Sequence, residues 1–243
     1  MQKNKIPILM YHSICRMPKG TLMRGLNVPK SLFFIQMLIL KLFGFKGVSI
    51  NKLLPYLKGD IKGKVVGITF DDGYQNLIEN ALPVLNFFKF SATCYVVSDE
   101  IGKFNSWDTP KGLPYQKLMN QEEIQIWINN QMELGSHSHK HERLGELDFK
   151  YASEQIIKSK NDLEKKFRVK VNNFCFPYGS YSNRLINFVE ETGYKSATTT
   201  NRGRATSNAN LFELPRIPIT HRTYPHSLLL KIFTEYEDRK KQT

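Results

Sequence analysis

Two adjacent carboxylates in Thr69-Phe70-Asp71-Asp72-Gly73 follow directly on an apolar run, Val65–Phe70. Successive side chains of an extended chain point to opposite faces, so Asp71 and Asp72 should have different jobs. One can bind a cation while the other acts as a base. The alternative is a plain Asp-Gly turn with two solvated carboxylates. The stretch is not the Asp-x-Asp-x-Thr of aspartyl-phosphate phosphatases, because Gly73 and Tyr74 stand where Asp and Thr are needed. A second cluster, His137-Ser-His-Lys-His141, holds three of the chain's 6 histidines. His137 and His141 are four apart and converge on a helical turn, or on a loop curled like one. Two imidazoles and one carboxylate make a facial set suited to zinc or another divalent metal, with positions left open for water. Solvated surface histidine is the alternative, and His139, one step out of phase, belongs at the surface or in a supporting role.

These clusters need elements to position them. Apolar runs of strand length alternate with amphipathic segments. Ile6–Tyr11, Lys46–Ile50, Val65–Phe70, Ala92–Val97, Glu133–Ser136, Asn173–Phe176, Ala197–Thr200 and Leu214–Ile219 read as strands. Ser31–Phe43, Asn76–Lys89 with a kink or break at Pro83, Gln121 to about Gln131, Asp148–Phe167, a helix from Ser182 to Gly193 and a C-terminal one from about residue 225 read as helices. Asn120 and Glu123 have the spacing of a capping box. Strands alternating with helices predict parallel βαβ units. The expectation is an α/β fold: a distorted (β/α) barrel of about seven parallel strands, closed or left incomplete, in one catalytic domain over 1–243 with its core at about 6–220. Each polar cluster then falls after a strand, on the rim where such folds build sites. Two more positions join them: His12 after Ile6–Tyr11, and Pro177-Tyr178-Gly179 after Asn173–Phe176. A buried structural histidine and a simple strand-ending turn are their alternatives. Ser98–Met119 and Asn201–Asn210 fit no element, and long loops of that kind are usually functional or mobile.

Composition narrows the classes. The chain has 243 residues, 41% hydrophobic and 23% charged, a mixture unlike disordered or collagen-like proteins. Three scattered cysteines without a CxxC pair indicate neither a disulfide framework nor a cysteine zinc site. The net charge of +13 favours anionic partners or reflects a lysine-rich surface. No nucleic-acid-binding signature accompanies it, so nucleic acid is not expected as a partner. The N-terminal stretch does not read as a signal peptide, which places the expected protein in the cytoplasm. The apolar helix at Leu32–Phe43 is too short to span a bilayer. It is apolar on nearly every side, so a neighbouring loop, a homodimer partner or the inner membrane surface should cover it. The closing run Arg239-Lys240-Lys241 adds to the basic charge.

Taken together, the motifs resemble the polysaccharide deacetylase, or NodB-homology, family of carbohydrate esterases. Thr69-Phe70-Asp71-Asp72-Gly73 matches the family's first motif. Glu133-Leu-Gly-Ser-His137-Ser-His-Lys-His141 matches the second, including the glycine two residues ahead of the first histidine. Phe176-Pro177-Tyr178-Gly179 matches most of the third. The opening Pro7-Ile-Leu-Met-Tyr-His12-Ser-Ile14 is similar to the permuted branch that contains the bacterial poly-N-acetylglucosamine deacetylases. The likeness runs from about residue 6 to about 220.

The resemblance implies a metal-dependent N-deacetylase acting on an N-acetylated glycan or glycolipid. Asp72, His137 and His141 would hold one divalent ion, zinc first and Ni2+, Co2+ or Mn2+ as alternatives. Asp71 would be the general base. The Tyr178 N–H would stabilise the oxyanion, and His12 would be the general acid. Tyr74, Trp107, Pro177 and Arg216 are assigned to substrate binding or to support of the site. Two departures stand out. Cys175 occupies the position of the family's base-orienting arginine, a role Arg216 could fill from a later strand. His221 and His226 lie near where unpermuted members carry the acid, so they rival His12. Acetyl ester hydrolysis, deformylation of a sugar lipid and a non-catalytic glycan-binding module are the competing functions.

Overall fold

In the computed structural model, which describes residues 5–112, 114–207 and 209–240, the elements follow in this order: β1 (Lys5–Ile6), β2 (Ile8–Tyr11), α1 (Lys30–Leu42), β3 (Lys46–Val48), α2 (Ile50–Lys58), β4 (Val65–Phe70), α3 (Asn76–Asn80), α4 (Leu82–Phe88), β5 (Thr93–Val96), α5 (Gln121–Asn129), β6 (Glu133–Ser136), α6 (Phe149–Phe167), β7 (Asn173–Cys175), α7 (Asn183–Glu191), β8 (Ser196–Arg202), β9 (Ala205–Thr206), β10 (Leu214–Pro218) and α8 (Pro225–Phe233). Residues 1–4 of the leader reading and Lys241 of the basic run lie outside the described residues.

Seven parallel strands close a barrel. They follow the order β2-β10-β8-β7-β6-β5-β4, and β2 seals the ring by pairing with both β10 and β4. The eighth, β3, pairs with the first half of β4 through Lys46–Val48. Because every ring strand runs the same way, all their C-terminal ends meet at one rim. The register of β2 on β4 pairs Tyr11 with Phe70, and the Asp71 N–H donates to the Tyr11 carbonyl at 3.0 Å. His12 and Asp71 therefore leave adjacent strands at the same height.

Most element boundaries follow local signals. Asp148 caps α6 by accepting from the Tyr151 N–H, Ser182 caps α7 from the Leu185 N–H, and Asn120 with Glu123 forms the expected capping box on α5. Four expectations need correcting. Pro7, which has no N–H to donate, divides the first strand into β1 and β2. Asn76–Lys89 does break, but at Ala81, two residues ahead of Pro83, which is the second residue of the later helix. Asn201–Asn210 is no loop throughout, since β8 runs to Arg202 and β9 pairs with β1. The helix α2 was not foreseen. Its Ser49 cap makes no side-chain bond, and Pro55 inside it reads as a breaker. Its first turn is instead satisfied from a distance: the Asn51 N–H donates to the Glu133 carboxylate at 2.8 Å, and the Ile50 N–H to Thr93 Oγ1 at 2.8 Å.

The C-terminal segment is also more ordered than a basic tail. α8 ends at Phe233, and the acidic residues behind it pair with cations: Glu237 with Arg202 and Lys231, Asp238 with Arg204 and Lys5, Glu235 with Arg239. α1 buries Leu32, Phe33, Gln36, Met37 and Leu40 against the barrel, while Phe34, Ile35, Leu38, Leu42 and Phe43 face outward. Among the described residues, no helix is long and apolar enough to cross a membrane.

Candidate active site

Asp71 turns into the barrel, where it is 3% exposed, and meets Arg216 from β10. The contact is bidentate: Nη1 to Oδ1 at 2.6 Å and Nη2 to Oδ2 at 2.7 Å. Arg216 has no exposed surface. Its remaining donors are spent on the Thr199 carbonyl at 2.9 Å, Thr69 Oγ1 at 3.1 Å and Cys175 Sγ at 3.2 Å. The guanidinium thus approaches Asp71 from β10, over the sulfur of the residue at the usual arginine position. Burial works against the charged carboxylate, but the Arg216 charge and its hydrogen bonds outweigh it, so the Asp71 pKa is lowered. Because the folded value lies below the unfolded one, near 3.9, this pair stabilises the fold above that pH and the contribution is lost on acidification. Arg216→Ala leaves a buried carboxylate unpaired. An unfolding free energy about 3–5 kcal/mol lower is expected in urea titration at neutral pH, and a loss under 1 kcal/mol would remove the pair from the core energetics.

Asp72 has φ 72°, a left-handed turn that sends its carboxylate away from Asp71. Oδ1 lies 3.4 Å from His137 Nε2 and 3.2 Å from His141 Nε2. The two histidines do not share a helical turn. His137 sits just past β6, and the loop folds back through left-handed Ser138 and His141, braced by the His141 N–H on Ser138 Oγ at 3.0 Å. His139 points elsewhere, to Ser98 Oγ at 2.9 Å. The glycine ahead of the motif has a physical reason: a Cβ on Gly135 would stand 2.4 Å from the Tyr95 ring that fills the barrel there. Tyr74 is 1% exposed, and burial together with the nearby Asp72 and Asp108 charges raises its pKa well above the ordinary value, which keeps the phenol protonated beside Asp72.

The donor set fits a divalent cation. His137 Nδ1 is 2.8 Å from the Cys175 carbonyl, an acceptor only, so Nδ1 carries the hydrogen and Nε2 presents its lone pair to Asp72. His141 also directs Nε2 at Asp72 Oδ1, and its buried Nδ1 has no hydrogen-bond partner. Three ligand atoms within 4.8 Å of one another, all buried, thus converge on one point. Two neutral imidazole lone pairs facing one carboxylate repel unless a proton or a cation lies between them. Without a cation the fold leans on protons. Burial opposes the His137 imidazolium, but Cys175 and Asp72 raise its pKa well above the ordinary value, and the histidine contacts hold Asp72 well below its own despite burial.

Around these groups the rim encloses a cavity of about 200 Å3, lined by His12, Asp71, Asp72, His137, His141 and Tyr178. His12 Nε2 lies 4.0 Å from Asp71 Oδ2. His221 lies in a different cavity, and neither it nor His226 lines this one. The Ser98–Met119 segment supplies the roof. Trp107 stacks on His141 with ring centroids 4.3 Å apart, and the Tyr178 ring meets the same His141 imidazole edge-on at 4.6 Å. Pro177 is buried and starts the turn in which Tyr178 is left-handed, with φ 57°. Gly179 closes that turn at φ 64°, and a Cβ there would fall 1.9 Å from Thr200 Oγ1. Gly179→Ala should therefore displace Tyr178 and lower stability by more than the roughly 1–2 kcal/mol of a left-handed alanine alone. Calorimetry showing an unchanged Tm would contradict this packing.

A family model for polysaccharide deacetylases matches residues 58–197, more than half of the chain and including both carboxylates, both histidines and the Pro-Tyr-Gly turn. The chain belongs to the polysaccharide deacetylase family. YxkH of Bacillus subtilis, which carries the same family name, is 28% identical over 218 residues, or 89% of this chain and 72% of that protein. The poly-β-1,6-N-acetyl-D-glucosamine N-deacetylase of Staphylococcus aureus strain MRSA252 is 26% identical over 84% of this chain and 71% of its own. Among solved structures, the deacetylase PplD of Streptococcus pyogenes, in complex with acetate, superposes with a TM-score of 0.81 at 25% identity, covering 96% of this chain and all of that one.

Sequence reasoning missed part of the cavity wall in this family member. Asp108, 4% exposed, reaches it from the turn that carries Trp107, while Met23 and Leu26 come from the loop after β2 and Thr200 from β8. The long-loop signal marked the Asp108 segment as functional without selecting the residue. Nothing local marks Met23 or Leu26, which the fold brings in from a stretch without periodicity.

Proposed function

We propose that this protein is a metal-dependent deacylase that removes the N-acetyl group from an amino sugar in a glycan or glycolipid. The observation that carries the reading is the division of labour between neighbouring carboxylates. Asp71 is committed to a guanidinium, and Asp72 to two imidazoles, 3.2 and 3.4 Å away, in one small cavity. The N-deacetylase named among the relatives supports the choice of an N-acetylated sugar.

Amide hydrolysis needs an activated water, charge stabilisation on the tetrahedral oxygen and a proton for the departing amine. A divalent ion, zinc by its donor set, would be held by Asp72, His137 and His141 and when bound supplies Lewis acidity to water and the acyl oxygen. Asp71, kept ionised and aimed by Arg216, accepts the proton of the attacking water. The Tyr178 N–H lies in the turn that packs on His141 and donates to the developing oxyanion. His12, beside Asp71, delivers the proton to the leaving amine. Trp107 and Tyr178 bracket the histidine ligand and exclude water from the far side of the cavity.

The acid assignment has its own test. His12→Ala should reduce cleavage of the N-acetyl amide by about 10²–10⁴-fold, the usual worth of a positioned proton donor. An activated aryl acetate, whose leaving group needs no proton, should be cleaved at close to the wild-type rate. Equal losses on both substrates, or a selective amide defect in His221→Ala with His12→Ala tolerant, would reject the assignment.

A further inference from the structure

A second cavity, about 500 Å3, lies beside the first and has a different chemistry. Arg16, Lys19, Arg24, His221 and Arg222 line it. Among the described residues, no carboxylate pairs with the four cations Arg16, Lys19, Arg24 and Arg222, or with His221. The cluster is close enough to repel itself: burial first, then the charges of Arg24 and Arg222, hold the His221 pKa below its ordinary value. Crowding cations with no counter-charge destabilises a fold unless an anion joins them.

The backbone points the same way. Pro29 and Ser31, at the start of the 13-residue α1, and Tyr224 and Pro225, at the start of the 9-residue α8, also line this cavity. Neither helix has a side-chain cap. Their N–H groups and dipoles favour negative charge at the same place as the guanidinium groups. His221 Nδ1 is buried there without a hydrogen-bond partner. Planar, weakly hydrated guanidinium donors and uncapped helix N–H groups together suit the several oxygens of a phosphoryl group.

The two cavities share one short turn. Met23 and Leu26 line the deacylation cavity, and Arg24 between them lines the basic one. Ile35, on the outward apolar face of α1, also lines the basic cavity. Resting on the deacylase reading above, we infer that the basic cavity is a phosphate subsite and that the substrate is an N-acyl sugar carrying a phosphoryl group. Its acyl group enters the cavity at Asp71 and its phosphate sits among Arg24, His221 and Arg222.

The test measures binding apart from turnover, by calorimetry and 31P NMR on the full chain. The probes are inorganic phosphate, N-acetylglucosamine 1-phosphate and N-acetylglucosamine. Both phosphate probes should bind the wild type, and the sugar phosphate at least tenfold more tightly than the neutral sugar. Arg24→Gln and the exposed Arg222→Gln should each weaken both phosphate probes, at least tenfold in the double variant, and leave the neutral sugar and the cleavage of uncharged N-acetyl oligomers unchanged. Identical binding in wild type and double variant, or a sugar phosphate that binds no better than the neutral sugar, would overturn the subsite. Arginine-dependent binding of inorganic phosphate by a protein that releases no acetate would uphold the anion site and reject the deacylase reading, so the two fail separately. A prenyl-phosphate-linked N-acetylglucosamine in detergent micelles distinguishes the source. Tighter binding than the soluble sugar phosphate, lost in Ile35→Ser, assigns a lipid-linked substrate; equal binding assigns a soluble sugar phosphate.

Discussion

His137→Ala and His141→Ala are each expected to purify with less than a tenth of the wild-type content of divalent metal and to lose measurable amide cleavage. The expectation follows from how few ligands there are. Three side-chain atoms within 4.8 Å define the point, and each removal leaves two. Disturbing groups that merely orient a ligand weakens metal binding about 10–100-fold, so deletion of a ligand itself should reach at least the upper end of that range. His139→Ala is the control. That imidazole is as buried as its neighbours but bonds to Ser98 and points away from Asp72, so its metal content should be unchanged. Elemental analysis decides the matter. Full occupancy in both ligand variants, or loss in His139→Ala as well, would mean that the cation lies elsewhere.

Asp71→Asn should show the opposite pattern: metal retained, turnover lower by about 10²–10⁴-fold. The amide keeps the shape of the carboxylate and can still accept from Arg216 through its oxygen, but it cannot take a proton from water. Its stability should also fall, because a buried guanidinium loses its counter-charge. Measuring kcat at a temperature well below the variant's Tm separates the two effects. The wild-type activity should persist at pH values where an ordinary carboxylate begins to protonate, because Arg216 holds the Asp71 pKa down. Loss of metal in Asp71→Asn would instead show that the two carboxylates have been assigned in reverse.

Much of this arrangement is legible in the chain because its determinants are local. The adjacent carboxylates diverge as expected, although it is the left-handed turn at Asp72, past the end of β4, that separates them. The alternation of strands and helices reaches the seven-stranded barrel because each run of β-branched and apolar residues ends where its polar cluster begins. Where determinants are distant, the sequence is silent. Helix α2 takes its cap from Glu133, more than 80 positions away, and no window around Pro55 contains that information. The Arg216–Asp71 pair spans 145 positions, and the pairing of β2 with both β10 and β4 is what brings the guanidinium to the end of β4. The curl of the His137–His141 loop depends on left-handed Ser138 and His141, conformations that neither residue type announces. The outward face of α1 was foreseen from its composition, but its alignment with a basic cavity was not, since Arg16, Arg24 and Arg222 come from loops on either side of the barrel seam.

The central claim is that the cavity at Asp71 and Asp72 hydrolyses an N-acetyl amide on a sugar. The most direct measurement is acetate release, with parallel assay of the free amine, from N-acetylglucosamine oligomers and N-acetylglucosamine 1-phosphate by zinc-loaded protein. The wild type should release one acetate for every amine that appears, and zinc-loaded Asp71→Asn should release neither at a comparable rate. Zinc-loaded, folded wild-type protein that binds these sugars yet frees no acetate, or acetate release undiminished in Asp71→Asn, would contradict the account.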